Sequence, residues 1–120
     1  VALGPEIPAL FCNDEALAVG LLAAAEREQD PFWRLPLHQP YREMLDSKIA
    51  DIANASESSY AGAITAALFL KEFVPAGLPW AHFDLMAWNS KTQPGRPEGG
   101  EAMALRAVFA WLEQRYGGGE

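Results

Sequence analysis

These 120 residues hold little that could form a crosslink, bind a metal or cross a membrane. There is one cysteine, Cys12, so no disulfide can close within the chain, which fits a reducing compartment. Its plain reading is a small buried hydrophobe. Basic side chains are few: nine Lys and Arg stand against sixteen Asp and Glu, a net charge of -7. Such a surface repels phosphate backbones, which argues against nucleic acid and anionic membranes as partners. No apolar run approaches the roughly 18 residues a membrane span requires, and no basic-then-apolar leader opens the chain. The opening Val1-Ala2-Leu3-Gly4 lacks a Met and reads like the end of a structural element. The expectation is therefore a piece of something larger, natural or engineered.

What is present is globular. Half the residues are apolar, enough for one hydrophobic core and too few for two domains. Ile7 to Phe11 reads as a short buried strand. Asn13 is placed to cap a helix whose first turn holds Asp14 and Glu15, where the helix dipole favours negative charge. That helix runs to about Gln29 on a stripe of Leu17, Leu21, Leu22 and Ala25, and Asp30-Pro31 ends it. Phe32 to Pro40 reads as an ordered loop packed by Phe32 and Trp33.

Tyr41, Met44, Leu45, Ile49 and Ile52 share one helical face, predicting a helix from Tyr41 to Asn54. A polar loop, Ala55 to Ser59, follows it. The segment Ala61 to Phe73 is helical and apolar nearly all round, so burial on several sides is expected. Trp80 to Trp88 is the strongest strand pattern, nearly continuous in apolar residues, as in the centre of a parallel sheet. After a turn-rich loop, Ser90 to Gly100, a last helix is predicted from Glu101 to Tyr116, with Leu105, Val108, Phe109, Leu112 and Tyr116 on one face. The sum is an α/β fold, helices packed on a mostly buried sheet, with the sheet incomplete because two strands make a poor one alone.

Candidate chemistry is sparse. His82 and Asp84 lie two apart on a strand and share a face, so they are placed to hydrogen-bond each other or to share a metal. Two ligands do not complete a zinc site, and the plain reading is a buried structural pair. His38 sits in a proline-rich loop and receives no role. Ser47 lies on the second predicted helix, away from any strand-to-helix elbow, and no G-x-S-x-G occurs. Gly95 to Gly100 lacks the Gly-Lys-Ser/Thr ending of a phosphate loop.

Four stretches in order resemble the leucyl aminopeptidase family. They are Val1-Ala2-Leu3-Gly4; then Trp33-Arg34-Leu35-Pro36-Leu37 with Tyr41, Ser47, Ala50-Asp51 and Asn54; then Ala61-Gly62-Ala63-Ile64-Thr65-Ala66-Ala67-Leu68-Phe69-Leu70; then Trp80-Ala81-His82-Phe83-Asp84 with Gly95-Arg96-Pro97. The resemblance covers nearly the whole chain. It implies that residues 1–120 are the C-terminal portion of a catalytic domain, one incomplete globular unit. The parent it implies is a cytoplasmic enzyme, a homo-hexamer, that removes the N-terminal residue of peptides. Two divalent metal ions, zinc or manganese, would serve that parent.

By the same resemblance the family's metal ligands and catalytic residues lie before this stretch. No catalytic or metal residue is therefore carried onto this chain, no metal is expected in it, and it is expected to be inactive alone. One feature does carry over. The run Leu85-Met86-Ala87-Trp88-Asn89 matches the segment that reads Ile-Ala-Gly in typical members and lines the pocket for the substrate's first side chain. Met86 and Asn89 are thus the expected pocket residues. Met86 replaces a small residue, which departs from a leucine-type pocket. The alternative is a stand-alone interaction or regulatory domain without an active site, in which Met86 and Trp88 only pack.

Overall fold

The computed structural model describes residues 2–45 and 60–117. The first strand, β1 (Ala9–Cys12), is buried along its whole length, with Leu10 and Phe11 wholly inside. It is the centre of a three-stranded sheet. On one side it pairs in parallel with β2 (Trp33–Arg34), on the other antiparallel with β3 (Ala81–Asp84). Alternation along β1 decides which helices cover which face. Leu10 and Cys12 face a cluster containing Ala18, Leu21, Ala24 and Ala25 of α1 (Glu15–Glu28) and Ala107 of α3 (Leu105–Leu112). Ala9 and Phe11 face Ala67 of α2 (Gly62–Lys71), with Ile64, Leu35 and Trp80 around them. The result is three layers, helix on sheet on helix.

The α/β reading and the first helix hold, with local corrections. The cap of α1 is Asp14, whose Oδ2 accepts from the Leu17 N–H at 2.9 Å. Asn13 instead works as an extra rung of the sheet. Its Oδ1 accepts from the Trp80 N–H at 2.7 Å, and its Nδ2 donates to the Leu78 carbonyl at 2.9 Å. At the other end, Gln29 adopts φ 51° and the Asp30 N–H bonds the Ala25 carbonyl, a left-handed stop one residue before the expected Asp30-Pro31 break. Phe32 is buried in the α1 cluster, edge-on to Phe83 at 4.9 Å. Trp33 is 64% exposed, and its contribution is backbone pairing in a strand where the prolines had pointed to a loop.

The strand Trp80 to Trp88 is shorter and placed differently than expected. It pairs only over Ala81–Asp84 and lies at the sheet's edge among the described residues, antiparallel to β1, while β1 takes the centre. After Leu85, Met86 and Ala87 the chain forms a small hairpin of β4 (Trp88–Asn89) with β5 (Gly99–Gly100). The break is a turn at Ala87, with φ 56°.

Of the predicted face of the last helix only Val108 packs inward, beside Trp111 and the buried Ala104 and Ala107, while Leu105, Phe109 and Leu112 are 62%, 63% and 42% exposed. The reason is close approach. Trp111 lies over Gly20 of α1, where an added Cβ would come within 2.5 Å of the indole nitrogen. Small residues on both helices let the axes come together, and the bulky stripe is left outside. From Glu113–Gly117 the helix widens to a π turn, which lets Tyr116 meet Trp111 edge-on at 6.5 Å.

The second predicted helix begins as a 3₁₀ turn, Gln39–Tyr41, and continues through residues 42–45. Ser47, Ala50, Asp51, Asn54 and the loop Ala55 to Ser59 lie outside the described residues. Nor is α2 buried all round: Thr65, Ala67 and Leu68 are inside, while Phe69 and Leu70 are about two-fifths exposed.

Candidate functional site

His82 and Asp84 share a face of β3, as the strand period requires. They form no hydrogen-bonded pair. His82 is stacked between aromatic rings, with Trp80 at 6.1 Å and Phe11 at 6.1 Å between centroids, and Asp84 is exposed. The expected buried pair is replaced by an aromatic stack because Phe11 lies directly opposite His82 in the sheet register. Among the described residues no group of three or more His, Cys, Asp or Glu stands close enough to hold a metal ion. Cys12 is free and buried, and its thiol donates to the Asp14 carbonyl at 3.2 Å.

The segment Leu85 to Asn89 is where chemistry can gather. Leaving the sheet after Asp84, it exposes Met86 (61%) and Trp88 (52%). The left-handed turn at Ala87 aims its carbonyl at the Glu101 N–H, 3.0 Å away, tying the segment to the approach of α3. Asn89 serves the hairpin. Its Nδ2 donates to the Arg96 carbonyl at 2.9 Å and the Pro97 carbonyl at 3.1 Å, so it holds the Gly95-Arg96-Pro97 turn closed. Gln93 and Arg96 exchange two backbone bonds of 2.8 Å within that turn.

Beside this hairpin is a cleft of about 570 Å³. Trp88, Asn89, Lys91 and Arg96 line one side, and Asp30, Pro31, Met103 and Arg106 line the other. Met86 is not among its lining residues, so the two expected pocket residues fall on neighbouring surfaces. Asp30 was read from sequence only as a helix stop, and it is the structural pivot here. Its buried carboxylate accepts from the Ala104 N–H and the Ala107 N–H, each at 3.1 Å. It thereby caps α3 from more than seventy residues away, a role without a local sequence signal.

At the opposite end of β1, Arg34 forms a two-pronged pair with Glu15. Nη1 donates to Oε2 at 2.9 Å, Nη2 lies 2.8 Å from Oε1, and Nη2 also donates to the Cys12 carbonyl at 3.2 Å. The Arg34 hydrogen bond, and then its charge, hold the Glu15 carboxyl below its ordinary range. Glu15 in turn raises the Arg34 guanidinium.

Comparison with known proteins follows this geometry. The profile of the cytosol aminopeptidase family, catalytic domain, matches residues 1–109. A probable cytosol aminopeptidase of Roseiflexus castenholzii is 50% identical over 115 residues, covering 93% of this chain and 23% of that protein. One from Synechococcus sp. strain WH7803 is 43% identical over 114 residues, again 93% and 23%. Among solved structures, the cytosol aminopeptidase of Coxiella burnetii superposes with a TM-score of 0.87 at 60% identity, covering 97% of this chain and 25% of that one. The bottromycin maturation enzyme BotP in complex with Mn gives 0.78 at 35% identity, covering 95% and 26%. The chain spans about a quarter of the length of the relatives it matches.

Proposed function

Since this chain belongs to the cytosol aminopeptidase family, with the catalytic-domain profile running over residues 1–109, we propose that it is the C-terminal, substrate-side portion of an enzyme that removes N-terminal residues from peptides. The observation that carries this reading is the match to the family's catalytic domain along nearly all of the chain. The described side chains do not fit a two-metal centre. In the parent enzyme, divalent ions such as zinc or manganese would supply the Lewis acid and activated water for peptide hydrolysis, held by residues outside this chain. This chain contributes a wall, with Met86 on the exposed turn and Asn89 bracing the hairpin next to it. A hexameric assembly and a cytoplasmic location belong to the same proposal. No helix among the described residues is long and apolar enough to cross a membrane.

The test has two arms. Incubated with amino-acid anilides and added manganese or zinc, the chain alone gives no turnover. Activity that survives repurification and disappears on a substitution within the chain overturns this. Grafting Leu85 to Asn89 into the Coxiella enzyme is expected to move its preference for the first residue, because Met86 adds bulk where the family has a small residue. An unchanged preference removes Met86 and Asn89 from the pocket. The exposed stripe on α3 favours the second reading, an interaction module. A chain that stays inactive and that binds no peptide would support it.

A further inference from the structure

We infer that the outer edge of β3 pairs antiparallel with the same edge of a second copy of this chain, around a two-fold axis at Phe83. The pairing is independent of the peptidase reading. The Asn13 N–H donates to the Trp80 carbonyl at 3.2 Å, and the register continues with Phe11 opposite His82 and Ala9 opposite Asp84. Trp80, His82 and Asp84 therefore turn their backbone groups to β1, and alternation turns those of Ala81 and Phe83 the other way. Leu85 follows in the same phase. Among the described residues no strand lies on that side, and the amides and carbonyls of these three residues have no partner there. Both faces of β3 are covered. Ala81 and Phe83 pack against the α1 cluster, Trp80 lies in the α2 cluster, and His82 stacks on Phe11. The bare part is the edge. No lysine or proline blunts it between Ala81 and Leu85, and no bulge interrupts its register with β1.

The edge fits itself. Pro79, without an N–H, closes it at one end, and the left-handed turn at Ala87 closes it at the other. Phe83 lies midway between these limits. A two-fold axis there sets Phe83 opposite Phe83 of the other copy, and Ala81 opposite Leu85 of the other copy. These are the residues whose groups point outward, so every outward amide and carbonyl is paired. A slip of one residue would set outward groups against groups already bonded to β1. The same register places His82 opposite Asp84 of the other copy, twice over, an imidazole donor against a carboxylate. Among the described residues neither side chain makes a hydrogen bond within the single chain, and Asp84 is exposed. On the opposite face the two Phe83 rings meet as a cross-strand aromatic pair.

The test follows the 120-residue chain over a concentration series by light scattering and amide hydrogen exchange together. A species of twice 13.1 kDa is expected, with the amides of Ala81, Phe83 and Leu85 gaining protection as it forms. The amides of His82 and Asp84, which face β1, are protected at every concentration. A81P removes an outward N–H and no bond to β1, so it folds, and its dimer dissociation constant rises at least about tenfold. D84K weakens the dimer in the same direction, and D84N less, since its amide oxygen still accepts from the imidazole. Association that leaves the three amides exchanging as in the monomer, as it would through the apolar helix faces, overturns the pairing. So does a monomer at high concentration, whether the three amides exchange freely or are protected within the chain. Protection that appears only on adding the Coxiella enzyme without its matching quarter names that partner and overturns the second copy. Native affinity in both A81P and D84K overturns it as well.

Discussion

At the scale of single residues, two kinds of position dominate the energetics. Asp30 satisfies two buried amides at the start of α3. Asp30→Ala is expected to cost about 2–4 kcal/mol, since each orphaned buried donor costs on the order of 1–3 kcal/mol. Asp30→Asn, which keeps one acceptor, should cost less, and urea unfolding would rank them. If both variants match the native chain, the capping role is wrong. The second kind is the left-handed alanine. Ala87 and Ala104 have φ 56° and 65°, where a Cβ crowds the following carbonyl. Replacing either with Gly should stabilise the fold by about 0.5–1 kcal/mol, the strain relieved less the added freedom of the unfolded chain. A thermal midpoint that falls instead would mean these turns are held by something other than backbone sterics.

Between elements, the contact of α1 with α3 depends on one missing side chain. Gly20→Ala would drive a methyl into the Trp111 indole, and overpacking of this kind costs about 1–3 kcal/mol. Trp111→Leu in the same chain should recover part of the loss by opening the space. A double variant no more stable than Gly20→Ala alone would argue that the two helices are not in this register. The start of α1 is fastened to β2 and β1 through Glu15 and Arg34. The Glu15 carboxyl is lowered in the folded state, so its contribution is complete above the ordinary carboxylate range. It is lost as pH falls through the lowered folded value. The stability gap between the native chain and Glu15→Gln is therefore expected at pH 7 and should close as pH falls below the ordinary carboxylate range. Because Glu15 is exposed, that gap is small and should shrink further in high salt.

The whole molecule is a slab, 17 Å through its thin direction, with a radius of gyration of 16.4 Å. A compact chain of this length would have a radius near 14 Å. Thinness leaves large apolar side chains exposed on two sides: Phe69 and Leu70 of α2 with Phe73 just after it, and Leu105, Phe109 and Leu112 of α3. Such surfaces favour association, and net charge works against it. The apolar gain at about 25 cal/mol per Å² outweighs screened surface repulsion once a few hundred Å² are covered. Light scattering over a concentration series should therefore show particles heavier than 13.1 kDa. Phe109→Gln with Leu105→Gln should shift the series toward the monomer while leaving the unfolding midpoint nearly unchanged. A constant 13.1 kDa particle at high concentration would refute the picture of two uncovered faces.

What the sequence determined by itself was whatever depends on neighbours in the chain. The apolar stripe and the acidic first turn of α1 are local, and so are its end within a residue of Asp30 and the strand character of β1. The four ordered stretches carried the family resemblance in the same way. The tertiary structure decided everything that depends on which surfaces meet. It chose β1 over the longer Trp80 to Trp88 as the central strand, because among the described strands β1 has helices on both faces and strands on both edges. It left most of the larger apolar side chains of α3 outside, since the Gly20–Trp111 contact brings the two helices close. The candidate cleft was half legible: Asn89 lines it, Met86 does not, and Lys91 and Arg106 gave no signal.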